Sequence, residues 1–382
     1  MNKRVQAWVR FLTAQDGLAI LLAAGLLGAG LTFIYSASWR GEETGIVGAW
    51  FSKQIWWAAL GAGVALALAA TDYKFWIRHA GWLYLASLAL LALVFVPGIG
   101  RKVYGAYRWL VILGVPVQPS EFAKVSTVLL LARVLASPVL QRRSFGTVLL
   151  ALGLMALPFG LILEEPDLGT AMVLVPTTVC MLFAAGCALR YLIGLGLLGA
   201  GGIAVALSPL AKLFLDDYQH ERIATFLDPS RDPLGSGWNA LQSAIAVGSG
   251  GFSGKGFLNG TQNVLGFLPR TVSPTDFIFP VIAEETGFIG ASVLLLAFAA
   301  LLTCYLRTAW TAKDPAGSLL ATGIAGLLFC HVFVNVGMTI GLLPITGLPL
   351  PFVSSGGSFM VSTLAGFGLV QSVHVRRMRR EV

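Results

Sequence analysis

Apolar runs of roughly 20 residues, separated by short polar stretches, recur along the whole chain. A helix of that length crosses the hydrocarbon core of a bilayer. About ten spans are predicted, near 17–37, 53–71, 80–97, 118–137, 145–163, 168–186, 190–209, 277–303, 316–342 and 352–373. A backbone in lipid must satisfy its own hydrogen bonds, so helices are the default. The expectation is an all-α polytopic membrane protein, one transmembrane unit over 1–382 with no internal repeat and no separate soluble domain. One connection is far longer than the others, about 65 residues over 210–275 between spans seven and eight. Within it, Trp238, Leu241, Ile245 and Gly248 of GWNALQSAIAVG fall at helical spacing. They predict a short helix that lies in the membrane interface or caps the bundle.

Composition agrees with this reading. The 382 residues are 56% hydrophobic and 12% charged, with a mean hydropathy of +0.79. A soluble domain carries about twice that charged fraction. The net charge of +8 raises the question of a nucleic-acid partner. Its distribution argues against one. Lys3, Arg4 and Arg10 precede the first span and RRMRR (376–380) follows the last. Lys74 with Arg78, Arg142 with Arg143, Arg190, and Arg307 with Lys313 fall in alternate short loops. That is the positive-inside pattern, and it predicts cytoplasmic termini and an extracytoplasmic long loop. The first apolar run ends in SAS (36–38), like a signal cleavage site, but it is long enough to be a retained anchor. Cys180, Cys187, Cys304 and Cys330 form no C-x-x-C pair and read as packed thiols.

Several polar motifs interrupt the spans. In GSGGFSGKG (248–256) the spacing fails as a phosphate-cradling loop, because Ser249 takes the first glycine position and Gly256 follows Lys255. The glycines suit tight turns. A weaker reading keeps exposed N–H groups and Lys255 as contacts for an anionic headgroup. QPSEFAK (118–124) opens the fourth span, with Glu121 and Lys124 on one helix face at i and i+3. They either form a structural ion pair or line a polar cavity. Arg108 and Trp109 lie just upstream, Trp109 as an interfacial anchor. In EEPDLGT (164–170), Asp167 suits the cap of the next helix. The long loop carries Arg222 and Arg231, either ordinary solvated charges or guanidinium partners for a diphosphate.

PTDFIFPVIAEETGFIG (274–290) raises the sharpest question, because a carboxylate in or beside a membrane helix is costly. Thr275 can cap the eighth span and leave Asp276 free. Glu284 lies about 12 Å further along the helix and is expected to face the bundle interior or a wet cavity. Glu285 points about 100° away. Finally, GLLPITGLPLPFVSSGGS (341–358), just after Asn335, is too rich in Pro and Gly for a continuous helix. Irregular backbone at that depth survives only where protein or a cavity covers it.

Taken together, QPSEFAK, EPDLGT, NGTQ (259–262), FLP…TDFIF…AEETG and TGLPLPFVSSGGS resemble the SEDS family of bacterial cell-wall proteins. The match runs over nearly the whole chain, with five motifs in order. The ending GFGLVQSVHVRR resembles the RodA-type elongation branch more than the FtsW-type division branch. The resemblance implies a ten-helix glycosyltransferase that polymerises lipid II, the undecaprenyl-diphosphate-linked disaccharide pentapeptide. It would act on the outer face of the bacterial cytoplasmic membrane. It further implies a class B penicillin-binding protein (a transpeptidase) as partner, other elongation-complex proteins, and a divalent cation, Mg²⁺ or Mn²⁺. The family's essential aspartate falls on Asp276. Two departures stand out. Five residues, RTVSP (270–274), separate FLP from TDF where about three are usual, and Ser355 stands where Tyr is common.

The implied reaction joins a sugar hydroxyl to an anomeric carbon whose leaving group is a lipid diphosphate. A hydroxyl needs a general base near neutral pH, and a diphosphate leaves as a stable anion without an acid. One carboxylate therefore suffices, unlike the pair used in glycoside hydrolysis. Asp276 is the candidate base, or alternatively the cation's ligand. Glu121, Lys124, Arg108 and Glu284 are candidates for the supporting cavity, and Arg222, Arg231 and Lys255 for the diphosphate. A lipid flippase and a non-catalytic scaffold are the rival classes.

Overall fold

The computed structural model describes residues 13–39, 44–103, 106–112, 114–140, 144–208, 217–269 and 271–377. Lys3, Arg4, Arg10, Arg142, Arg143, Arg270 and the end of the basic run at 378–380 lie outside the described residues.

Ten helices coincide with the ten expected spans. They are α1 (Gly17–Ser38), α2 (Thr44–Ala70), α3 (Tyr73–Val94), α4 (Pro119–Leu135), α5 (Phe145–Glu164), α6 (Leu168–Ala184), α7 (Leu189–Ala206), α11 (Ile278–Thr311), α12 (Pro315–Thr339) and α13 (Gly357–Arg377). The long connection folds into α8 (Asp217–Leu227), α9 (Ser236–Ser249) and the single turn α10 (Thr261–Val264). Eight of the ten are long and apolar enough to cross a membrane. The other two, α4 and α6, have 17 residues each, and α4 carries Glu121, Lys124 and Arg133. Most starts are written locally. Asp16, Asp72, Ser144, Asp167 and Asp314 each accept an N–H from the first turn of the helix that follows, satisfying a donor that has no intrahelical partner. Lys74, Arg78, Arg190 and Arg307, expected in loops, lie inside the helices near their ends.

One element was not anticipated. Between α3 and α4 the chain forms a small antiparallel sheet, β1 (Gly100–Val103), β2 (Ala106–Ile112) and β3 (Val115–Val117), paired in that order. Tyr, Trp, Val and Ile dominate β2 and favour a strand in so short a segment. Arg108 and Trp109 both belong to this strand.

The bundle is uneven. In α12 and α13, 67% and 83% of the most apolar window is buried. α13 lies along α2, and α12 packs between α6 and α11. In α7 none of the window is buried, and the helix rests on α6. Cys187, Cys304 and Cys330 are buried and Cys180 exposed, all as free thiols. In the long connection, α9 turns Gln242, Ser243 and Ala246 inward, while Leu241 and Ile245 are exposed, which settles its apolar face as outward.

α11 is broken at Gly287, whose φ of +66° and ψ of −163° leave the helical region. A Cβ there would lie 2.3 Å from Gly254 N, so only glycine fits. The residues after the break, 288–311, are long enough to cross a bilayer core at about 1.5 Å per residue. The glycine-rich stretch fills the gap. Phe288 N donates to Gly251 O (2.9 Å) and Ile289 N to Phe252 O (3.1 Å), while Lys255 N and Gly256 N donate to Glu284 O and Glu285 O (both 3.0 Å). GSGGFSGKG therefore satisfies the backbone groups freed by the break.

A carboxylate site at the end of the bundle

Asp276 lies in the turn that leads into α11. The expected cap is absent: Thr275 Oγ1 donates backward to Thr271 O and Val272 O (both 3.2 Å), and the N-cap position, Phe277, makes no side-chain bond. The turn is held instead by its carbonyls. Ser355 N donates to Pro274 O (2.8 Å), Ser354 Oγ to Thr275 O (2.6 Å) and Asn335 Nδ2 to Asp276 O (2.8 Å). The same Asn335 nitrogen donates to Leu348 O (2.7 Å), and Ser354 Oγ accepts from Leu350 N (2.7 Å). This is the role of the helix breakers at 341–358. A regular helix has no free backbone donors to offer sideways, whereas this irregular segment catches two successive carbonyls, Pro274 O and Thr275 O, and the Asn335 side chain of α12 catches the third. Gln54 anchors it from α2, donating to Ser354 O (3.3 Å) and accepting from Gly356 N (3.2 Å).

The anchoring leaves the Asp276 carboxylate half-buried, with no hydrogen bond to it among the described residues. It faces Gly347, where a Cβ would sit 3.3 Å from Oδ2 and where φ is +75°. Across the same turn α6 approaches closely: a Cβ on Gly169 would lie 2.8 Å from Thr346 O. That approach brings Asp167 into the site. Asp167 is the cap expected from the sequence, accepting from Thr170 N (3.1 Å), Thr170 Oγ1 (2.9 Å) and Gln118 Nε2 (3.3 Å). Arg222 of α8 donates to Ile345 O (2.7 Å), and Arg108 of β2 donates from Nε to Glu165 O (2.8 Å) and also to Pro166 O. Burial, and then the charge of Asp167, push the Asp276 carboxyl up to about 7, against the lowering effect of Arg222 and Arg108. Such a group exchanges protons efficiently at neutral pH. Arg222 also lines a cavity of about 190 Å³ between α8, α9 and the end of α12, with Phe226, Leu241, Met338 and Leu343.

Glu165 is a neighbour the sequence reading passed over. It is fully buried, and neither carboxylate oxygen has a partner among the described residues. Burial first, and then the charge of Asp167, push it up to about 9 against Arg108, so it is neutral at pH 7. The signal was present in EEPDLGT as three acids within seven residues.

Glu121 and Lys124 do pair, at 2.9 Å, and both are 98% buried. The structure adds His331, one helical turn before Asn335 on α12. Lys124 Nζ lies 2.8 Å from His331 Nε2, and His331 Nδ1 lies 2.8 Å from Leu327 O. A carbonyl only accepts, so Nδ1 carries the proton and Nε2 accepts from the ammonium. Ser362 Oγ donates to the second Glu121 oxygen (3.0 Å). The network ties α4, α12 and α13 together beside a cavity of about 40 Å³.

Three candidates fall elsewhere. Glu284 is fully buried on the Asp276 side of the break. It accepts from Lys255 Nζ (2.6 Å), Thr261 Oγ1 (2.9 Å) and Gln262 N (3.1 Å). Lys255 Nζ also donates to Ser249 Oγ (2.7 Å) and Thr261 Oγ1 (2.6 Å), so its three donors are all engaged, two within the long connection and one on Glu284 of α11. The backbone N–H groups of 254–256 are engaged as well. A diphosphate role for Lys255 is therefore corrected to a structural one. Arg231 is exposed and pairs with Asp228 at 3.5 Å, the ordinary solvated reading.

Among the described residues, no group of three His, Cys, Asp or Glu side chains is arranged to hold a metal ion. Mg²⁺ commonly takes only one or two carboxylates and completes its shell with water and phosphate oxygens. Asp276 alone fits that lesser demand, since Asp167 already accepts three hydrogen bonds.

Fold and site thus define a polytopic helical membrane protein whose anchored Asp276 carboxylate has no hydrogen bond among the described residues and feels the charges of Arg222 and Arg108. Residues 17–379 match the family described as "Cell cycle protein", that of FtsW, RodA and SpoVE, and the chain belongs to it. It is 38% identical over 363 residues to the peptidoglycan glycosyltransferase MrdB of Escherichia coli K12, covering 95% of this chain and 94% of that protein. In structure it is similar to a chain of a peptidoglycan synthase complex (TM-score 0.77, 31% identity, 96% and 99% coverage). It is also similar to the rod shape determining protein RodA of Thermus thermophilus (TM-score 0.69, 30% identity, 96% and 98% coverage).

Proposed function

We propose that this chain is a peptidoglycan glycosyltransferase of cell elongation, polymerising lipid II on the extracytoplasmic face of the bacterial cytoplasmic membrane, with both termini cytoplasmic. The observation that carries the reading is the Asp276 carboxylate: fixed through its main chain, free of hydrogen bonds and held near neutrality. Family membership and the relatives named above support the reaction class.

In the proposed step the acceptor's 4-hydroxyl attacks the donor's anomeric carbon. A carbon–oxygen bond forms as the bond to the diphosphate breaks, and its electron pair leaves on a phosphate oxygen. The hydroxyl proton passes to Asp276. Arg222 and Arg108 offset the charge that develops on the diphosphate, which is worth most where water is scarce. The apolar cavity beside Arg222 suits the first isoprene units of the carrier lipid. A divalent cation held by Asp276 and the diphosphate would supply further charge neutralisation in the alternative role. The partner proposed is a class B penicillin-binding protein whose transpeptidase crosslinks the product, alongside other elongation proteins. Similarity to a chain from a complex in which polymerization and crosslinking are coordinated supports this.

The test is polymer formation from lipid II by the detergent-purified chain, resolved on a gel, with and without that partner. Glycan ladders that disappear in Asp276→Asn are expected. Lipid translocation in vesicles without polymer would replace this reading with the flippase. Activity retained by Asp276→Asn would remove the base role, and rescue of a weakened variant by raised Mn²⁺ would select the ligand role.

A further inference from the structure

We infer that Asn335 is the positioning residue of the site, an amide that sets where the Asp276 carboxylate stands without touching substrate. The inference rests on the reading of Asp276 as the reacting group.

Asn335 is fully buried in α12, one of the two most enclosed helices. Burying an amide without hydrogen bonds is costly, so the residue type points to its partners. Its one NH₂ group donates to carbonyls of two segments remote in sequence, Asp276 O at 2.8 Å and Leu348 O at 2.7 Å. The first segment carries the carboxylate. The second carries Gly347, against which Oδ2 rests. One side chain thereby fixes the reacting group and the surface behind it. Its own Oδ1 has no partner among the described residues, so the amide is oriented by its donors alone. Ser354 repeats the tie one residue back, between Thr275 O and Leu350 N. The charged groups around the carboxylate, Arg222, Arg108 and Asp167, each belong to another element. A displacement of about 1 Å at a reacting group can reduce rate about 100-fold, so loss of this hold acts on the chemical step.

The experiment uses the full chain in detergent, with lipid II as substrate. Asn335→Leu keeps the branched shape and removes both donors, and Asn335→Ala removes the side chain. Expected are a fall in kcat of about 10-fold or more, a KM within about twofold, and faster backbone hydrogen exchange confined to 272–277 and 345–355. Unchanged kcat, a change in KM alone, or unchanged exchange at 272–277 would overturn the inference. Failure of both variants to yield monodisperse protein would overturn it too, assigning Asn335 to folding. The exchange measurement needs no turnover. It therefore still reads the hold on the turn if Asp276→Asn remains active and the base reading itself fails.

Discussion

Asp276 and Glu284 stand eight residues apart on either side of the start of one helix, and the protein treats them in opposite ways. Glu284 is enclosed and saturated by an ammonium, a hydroxyl and an amide. Asp276 is half-open, and all its fixed bonds run through the backbone, leaving the carboxylate unengaged. Glu121 falls with Glu284, since Lys124 and Ser362 occupy its two oxygens. The lesson is that carboxylates on one short stretch differ in both access and hydrogen-bonding capacity, and only Asp276 of this pair keeps its oxygens open.

The sharpest break of that comparison is Asp276→Asn, which keeps shape and removes the proposed base. Polymerisation is expected to fall about 1,000-fold, with an unchanged thermal midpoint, measured by glycan synthesis and differential scanning fluorimetry. The pH dependence comes next. With the Asp276 carboxyl at about 7, its proton is retained below that pH and the base is blocked. kcat/KM should therefore rise about tenfold per pH unit up to near pH 7 and then level off. A flat profile from pH 5 to 8 would contradict the assignment. Glu284→Ala should show the reverse signature, a loss of stability instead of chemistry. It leaves Lys255 unpaired, at a cost of about 3 kcal/mol, the low end for a broken buried pair because Lys255 can rehydrate. A clear drop in thermal midpoint measures it. Arg222→Ala should raise KM for lipid II about tenfold with a smaller change in kcat, in steady-state kinetics. Arg231→Ala, on an exposed pair, should leave both constants within about twofold.

Much of this was legible in the residues. The ten helices, the cap at Asp167, the Glu121–Lys124 pair and the exceptional position of Asp276 all follow from patterns a few residues long. The sheet at 100–117 was hidden because its segment is too short and too charged to announce itself beside the spans. His331 was unremarkable as a lone histidine in an apolar helix until Lys124 came to lie 2.8 Å away. The break at Gly287 resembled any other glycine in a span until Gly254 was found in its place.

The sequence by itself determined where the ten apolar helices fall and the cap at Asp167, because hydropathy and capping sum over neighbours along the chain. Only the tertiary structure decided which charges are engaged and which are not. Lys255 meets Glu284, and Asn335 meets both Asp276 and Leu348, across gaps from 13 to 59 residues. Hydrogen bonds saturate, so which acid keeps an open valence depends on every donor the fold brings within 3 Å, and no local pattern records that.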